Sequence, residues 1–172
     1  LNKNEIDFAM VSVLPENLMI ERIELLQNKL YLVGGRNFET KEGYLNNKEL
    51  ESMPLIFREK GSATRKAMEE FIEKNNLDIL KRLELTSNEA VKQAVIAGLG
   101  YSIMPLIGIK NELINGDIKI IPTKQLPIIT EWNLIWLKNK NFSPAAKAYL
   151  EYVNKEKDRI TKDRFEWFEN YR

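Results

Sequence analysis

The chain contains neither cysteine nor histidine. Without cysteine it can build no disulfide framework, no thiolate metal site and no thiol nucleophile. Without histidine it loses the commonest metal ligand, the commonest general base and every Ser-His-Asp arrangement. Long apolar runs are missing as well: nothing approaches the roughly 20 residues that span a bilayer, and the N-terminus has no charged-then-apolar signal pattern. Nor does either sign of charge dominate, because 26 basic and 25 acidic side chains leave a formal charge of +1, and no basic block marks a nucleic-acid surface. These absences favour a non-enzymatic protein of the reducing cytoplasm, with no metal, no cofactor and no membrane partner.

What is present is an ordinary globular composition: 172 residues, 44% of them hydrophobic, enough for one compact domain or two small lobes. The chain begins at Leu1, so a segment upstream is expected. Residues 6–13, IDFAMVSV, have the unbroken apolar character of a buried, central parallel strand. Two further strands are expected in residues 18–26 and 30–35, separated by Gln27-Asn28. A helix capped by Asn46 precedes the strand 55–57. Residues 62–76 place Ala63, Ala67, Met68, Phe71 and Ile72 on one helical face. The strand RLEL at 82–85 leads into a helix that Gly98 and Gly100 end, and YSIMP follows as a strand. Residues 106–115 predict a short helix stopped by Gly116. Strands are then expected at DIKIIP and TEWNLIWLKN, and Ser143-Pro144 opens a last helix with Ser as cap and Pro at its first position. This alternation predicts an α/β protein with largely parallel sheets, whose ligands sit at strand C-terminal ends.

Two turns carry the chemistry. The first, Arg58-Glu59-Lys60-Gly61-Ser62-Ala63-Thr64-Arg65, lies between a strand end and a helix N-terminus. First-turn N–H groups have no intrahelical partner there, and the helix dipole adds about half a positive charge. Ser62 and Thr64 add hydroxyls, while Arg58 and Arg65 add charge; the alternative reading is a Ser62 cap with two surface arginines. The second turn, Thr86-Ser87-Asn88-Glu89, matches a capping box of Thr86 with Glu89. Structural capping is its default role, and convergence of both turns on one cleft is what would suit a small anion. The glycines of Ala97-Gly98-Leu99-Gly100 read as a helix stop, since they follow a helix and lack a P-loop Lys-Ser/Thr pair. Asp7 is the one acid inside an apolar strand, a binding candidate whose alternatives are capping a neighbouring element or pairing locally. In the tail, Ile160, Trp167, Phe168 and Tyr171 recur at helical spacing and suggest an amphipathic helix.

Residues 1–9, LNKNEIDFA, then 58–65, REKGSATR, then 87–105, SNEAVKQAVIAGLGYSIMP, resemble in order and spacing the effector-binding domain of LysR-type transcriptional regulators. The Ser143-Pro144-Ala145-Ala146 helix start fits as well. Asn4 departs from the glycine usual in the family, and the long aromatic tail is a second departure. The resemblance implies a two-lobe, periplasmic-binding-protein-like (type 2) fold. Lobe one would comprise residues 1–22 and 130–172, incomplete at its N-terminus, and lobe two residues 23–129. It implies a small, anionic effector in the interlobe cleft, with Ser62, Thr64, Thr86 and Ser87 facing it. Gly61 and Asn88 belong to the same turns, and Arg58 and Arg65 supply charge. It also implies DNA binding only through a helix-turn-helix domain outside this chain, and a homodimer or homotetramer. The alternatives on the same fold are a solute-binding protein of a transporter and a dehydratase-like enzyme. Against the second, Thr64-Arg65 is followed by Lys66 where prephenate dehydratase has Phe.

Overall fold

The computed structural model describes residue 1, residues 5–39 and residues 43–171, apart from the side chains of Arg82 and Glu169. The departure at Asn4 lies outside the described residues. The chain divides into two compact units: unit 1 is Leu1–Asn28 with Thr130–Arg172, and unit 2 is Lys29–Ile129. It leaves unit 1 along one strand and returns along another.

In unit 1, β1 (Ala9–Val11) pairs antiparallel with β7 (Ile128–Leu137), and β7 in turn lies beside β2 (Ile20–Gly35). This corrects the expectation of a buried central parallel strand in residues 6–13. The strand is three residues long, lies at one end of the strand order, and leaves Met10 55% exposed. Ala9 and Val11 are half-buried on one face while Met10 between them turns outward, as suits a half-covered antiparallel edge. Asp7 sits just before it and pairs with Lys140 at 3.0 Å, an ion pair across the chain. The two strands expected on either side of Gln27-Asn28 are one 16-residue strand. The polar pair makes no turn, because Asn28 is buried in the sheet and donates to Thr130 Oγ1 at 3.2 Å. Helix α5 (Pro144–Asn170) begins as expected, Ser143 Oγ accepting from Ala146 N at 3.2 Å. Its later turns reach β2 through Thr161 Oγ1, which donates to the Leu25 carbonyl at 3.4 Å.

Unit 2 holds the larger core, in which Leu30, Leu32, Leu55, Met68 and Ile103 are almost fully buried. Its strands are the second half of β2, β3 (Leu55–Arg58), β4 (Lys81–Leu85), β5 (Ser102–Pro105) and β6 (Ile118–Ile120). β2 runs antiparallel to both β5 and β6, whereas β3 and β4 are parallel and a parallel bridge links Leu55 to Tyr101. The sheets are therefore mixed and not largely parallel: strands joined through crossover helices run together, and the crossing strand β2 runs against them.

The helices of unit 2 are α1 (Asn47–Glu51), α2 (Ala63–Lys74), α3 (Asn88–Ile96) and α4 (Lys110–Asn115). The helix expected over 106–115 is broken into a 3-10 turn, Leu106–Gly108, and α4, because the fully buried Ile109 leaves the helical backbone at φ −129°. α3 ends at Gly98, whose φ of +74° places it in the left-handed region. Gly98 N donates to the Val95 carbonyl and Leu99 N to the Ala94 carbonyl, both at 3.0 Å, closing a Schellman motif.

Candidate functional site

β3 and β4 end side by side. Arg58 is opposite Leu85, and Glu59 N donates to the Leu85 carbonyl at 3.0 Å. Each strand then turns directly into a helix, so α2 and α3 begin at the same edge of unit 2. Their unpaired first-turn N–H groups and positive dipole ends make that edge hospitable to an anion.

In the first turn Gly61 has φ +92°, which a side chain would strain, and Ser62 follows as the cap of α2. Its hydroxyl accepts from Arg65 N at 3.5 Å, so it is a cap that stays half-buried at the helix entrance. Thr64, in the first turn of α2, is also half-buried. In the second turn the cap is Ser87, whose Oγ accepts from Ala90 N at 3.0 Å. The capping box of Thr86 with Glu89 does not form. Thr86 stays in the exposed connection after β4, and the Glu89 carboxylate pairs instead with Lys92 at 2.9 Å. That pairing holds Glu89 below the usual carboxylate range, through hydrogen bonds first from Lys92 and then from Gln93.

The arginines differ in what they do. Arg58 is clasped by Glu59, with two contacts of 2.8 Å, and its remaining terminal nitrogen donates to Asn88 Oδ1. It thus ties the first turn to the second and lowers the Glu59 pKa, chiefly by hydrogen bonding. Arg65 points inward. It is 8% exposed, bonds Glu69 and Glu84 at 2.6 Å each, donates to the Arg58 carbonyl at 3.0 Å, and lies over the Phe57 ring. Its pKa is raised, most by Glu69 and then by Glu84. Glu84, gripped first by Lys81 and then by Arg65, is pushed down to about 2.

The structure therefore gathers Arg58, Gly61, Ser62, Thr64, Thr86, Ser87 and Asn88 at one edge, and turns Arg65 away to brace it. Sequence reasoning missed Glu59, Glu69 and Glu84 as the partners of the two arginines. Only the i,i+4 spacing of Arg65 and Glu69 signalled one of them. Among the described residues no group of acids is arranged to hold a metal ion, and no helix is long and apolar enough to cross a membrane.

Two units joined by two chain crossings, one of them offering paired helix N-termini, define the class: an α/β ligand-binding domain. The chain belongs to the LysR substrate binding domain family, whose model matches residues 1–158. Its periplasmic-binding-protein-like type 2 fold is thereby shown, with the mixed strand directions described above. The chain is similar to the HTH-type transcriptional activator CmpR of Synechocystis, 37% identical over 154 residues, covering 89% of this chain and 51% of the relative. It is also similar to a RuBisCO operon transcriptional regulator of Acidithiobacillus ferrooxidans, 32% identical over 154 residues, with coverages of 89% and 50%. The chain thus spans about half the length of the curated relatives it matches. Among solved structures, the regulatory domain of Synechocystis CcmR in complex with 2-PG superposes with a TM-score of 0.85 at 29% identity, over 92% of this chain and 77% of that one. The effector binding domain of QuiR in complex with shikimate, 22% identical with a TM-score of 0.78, over 92% of this chain and 75% of that one, shares the fold.

Proposed function

We propose that this chain senses a small anionic metabolite on behalf of a LysR-type transcriptional regulator, and that it is not an enzyme. Units 1 and 2 correspond to lobes one and two in this reading. The ligand's anionic group is received at the β3/β4 edge of unit 2, with Ser62, Thr64, Thr86, Ser87 and Asn88 around it and Gly61 letting the backbone turn. Arg58 supplies positive charge and Arg65 holds the strand end in place. Effector binding favours one arrangement of the domain and thereby shifts DNA binding by a helix-turn-helix domain outside this chain. The regulator acts in the cytoplasm as a homodimer or homotetramer.

The observation that carries this reading is the shared edge of two helix N-termini in a domain of this family. The curated relatives described above are transcriptional regulators, which favours it over a transporter's binding protein or a dehydratase. Calorimetric titration with small carboxylates and phosphates, 2-PG included, tests it. Saturable binding weakened at least about tenfold by Ser62→Ala with Thr86→Ala, roughly 1.4 kcal/mol, is the expected result. A double variant that binds as well as the parent overturns the assignment.

A further inference from the structure

Both arginines of the β3/β4 edge are paired with acids, in two different ways. Arg65 is committed to Glu69, Glu84 and the Arg58 carbonyl, and its side chain is only 9% exposed. Arg58 meets Glu59 as a two-pronged fork, Nε donating to Oε2 and Nη2 to Oε1, each at 2.8 Å, while Nη1 donates to Asn88 Oδ1. Guanidinium groups grip carboxylates and phosphates alike through such parallel N–H bonds. Glu59 therefore takes a side of Arg58 on which an incoming oxyanion would bind, and it neutralises the charge that would attract one.

The Glu59 carboxylate is held in place yet open to exchange. Its backbone is fixed on both sides, N donating to the Leu85 carbonyl at 3.0 Å and the carbonyl accepting from Ser62 N at 3.2 Å. Its side chain is 34% exposed, against 16% for Arg58. The carboxylate can thus leave Arg58 for water without disturbing either strand end. Arg58 then keeps its bond to Asn88, which holds it between the two turns. As the neighbour in sequence, Glu59 competes at a fixed effective concentration, and its negative charge opposes the approach of another anion.

We infer that Glu59 is a built-in competitor for the effector's anionic group: the ligand displaces its carboxylate from Arg58, and the clasp sets the affinity threshold of the site. The inference rests on the β3/β4 edge being the effector site. The sign of one substitution separates competition from bracing. Removing a brace loosens the turns and weakens binding, whereas removing a competitor tightens it.

Inorganic phosphate is the probe, titrated by calorimetry at low ionic strength, where exposed charges are least screened. Glu59→Gln keeps the side-chain length and one acceptor oxygen, and is expected to bind phosphate at least about tenfold tighter than the parent. Adding Arg58→Gln is expected to abolish that gain. Glu89→Gln makes the same change in net charge at the start of α3 without releasing Arg58, and is expected to give a gain of less than about threefold. Binding by Glu59→Gln no tighter than the parent, a gain that survives Arg58→Gln, or an equal gain in Glu89→Gln overturns the inference. None of these results touches the effector reading, which fails instead when Ser62→Ala with Thr86→Ala binds small carboxylates and phosphates as well as the parent.

Discussion

At the scale of single residues, two neighbouring hydroxyls have different tasks. Ser87 caps α3 through Ala90 N, while Thr86 is exposed and outside the helix. Ser87→Ala is therefore expected to cost about 1 kcal/mol of stability, and Thr86→Ala less than about 0.5 kcal/mol, by urea denaturation. Equal costs would mean that the cap is shared. Arg65 shows the same contrast with Arg58. Arg65→Ala leaves Glu69, Glu84 and the Arg58 carbonyl without their partner, so it is expected to lower the unfolding midpoint well beyond the change in Lys66→Ala. The sequence marked both arginines as basic and near a turn. Which one faces the core depends on where α2 lies against β3 and β4, and residue type carries no such information.

At the scale of elements, glycine geometry ranks two substitutions. Gly98→Ala forces a side chain into the left-handed region in open space, at a cost of roughly 1–2 kcal/mol. At Gly100 a Cβ would come within 2.5 Å of the Pro54 carbonyl oxygen, a backbone atom that cannot swing aside, so Gly100→Ala is expected to destabilise more than Gly98→Ala. Thermal denaturation of both variants checks the order. The β4 strand also carries a pH signature. Glu84 has its pKa lowered from 4.5 to about 2, so between these values the unfolded chain binds the proton and the folded chain does not. Stability from this group is complete above about pH 4.5 and is lost as pH falls toward 2. Glu59 and Glu89 are lowered too and act in the same direction. Glu84→Gln is expected to flatten the acid limb of a stability–pH curve measured by chemical denaturation. An unchanged acid limb would show that the Lys81 and Arg65 contacts do not persist in solution.

At the scale of the whole molecule, the tail ties in to unit 1. Thr161 reaches the Leu25 carbonyl, and Phe165, Trp167 and Phe168 make ring contacts with one another. The family model matches residues 1–158, so these turns of α5 lie beyond the matched range. A chain ending at Lys157 is expected to show a lower melting temperature for unit 1 by calorimetry while the core of unit 2 is kept. Its mass by light scattering decides whether the tail takes part in the oligomer: an unchanged mass rules it out.

Much of this fold was legible in the chain. Periodicity placed α2, Ser143-Pro144 opened α5, Asn46 capped α1, and Gly98 and Gly116 stopped their helices, because caps, stops and amphipathic faces are decided by residues within a turn of each other. The family motif in residues 87–105 belongs to the same local grammar. Strand partners do not. Whether IDFAMVSV is a centre or an edge, whether β2 bends at Gln27-Asn28, and which way neighbouring strands run depend on segments a hundred residues away, such as Thr130 beside Asn28. The candidate site divides along the same line. Its hydroxyls and glycine were readable because helix starts are local, whereas the Arg58–Asn88 tie and the inward turn of Arg65 exist only once distant strands and helices pack together.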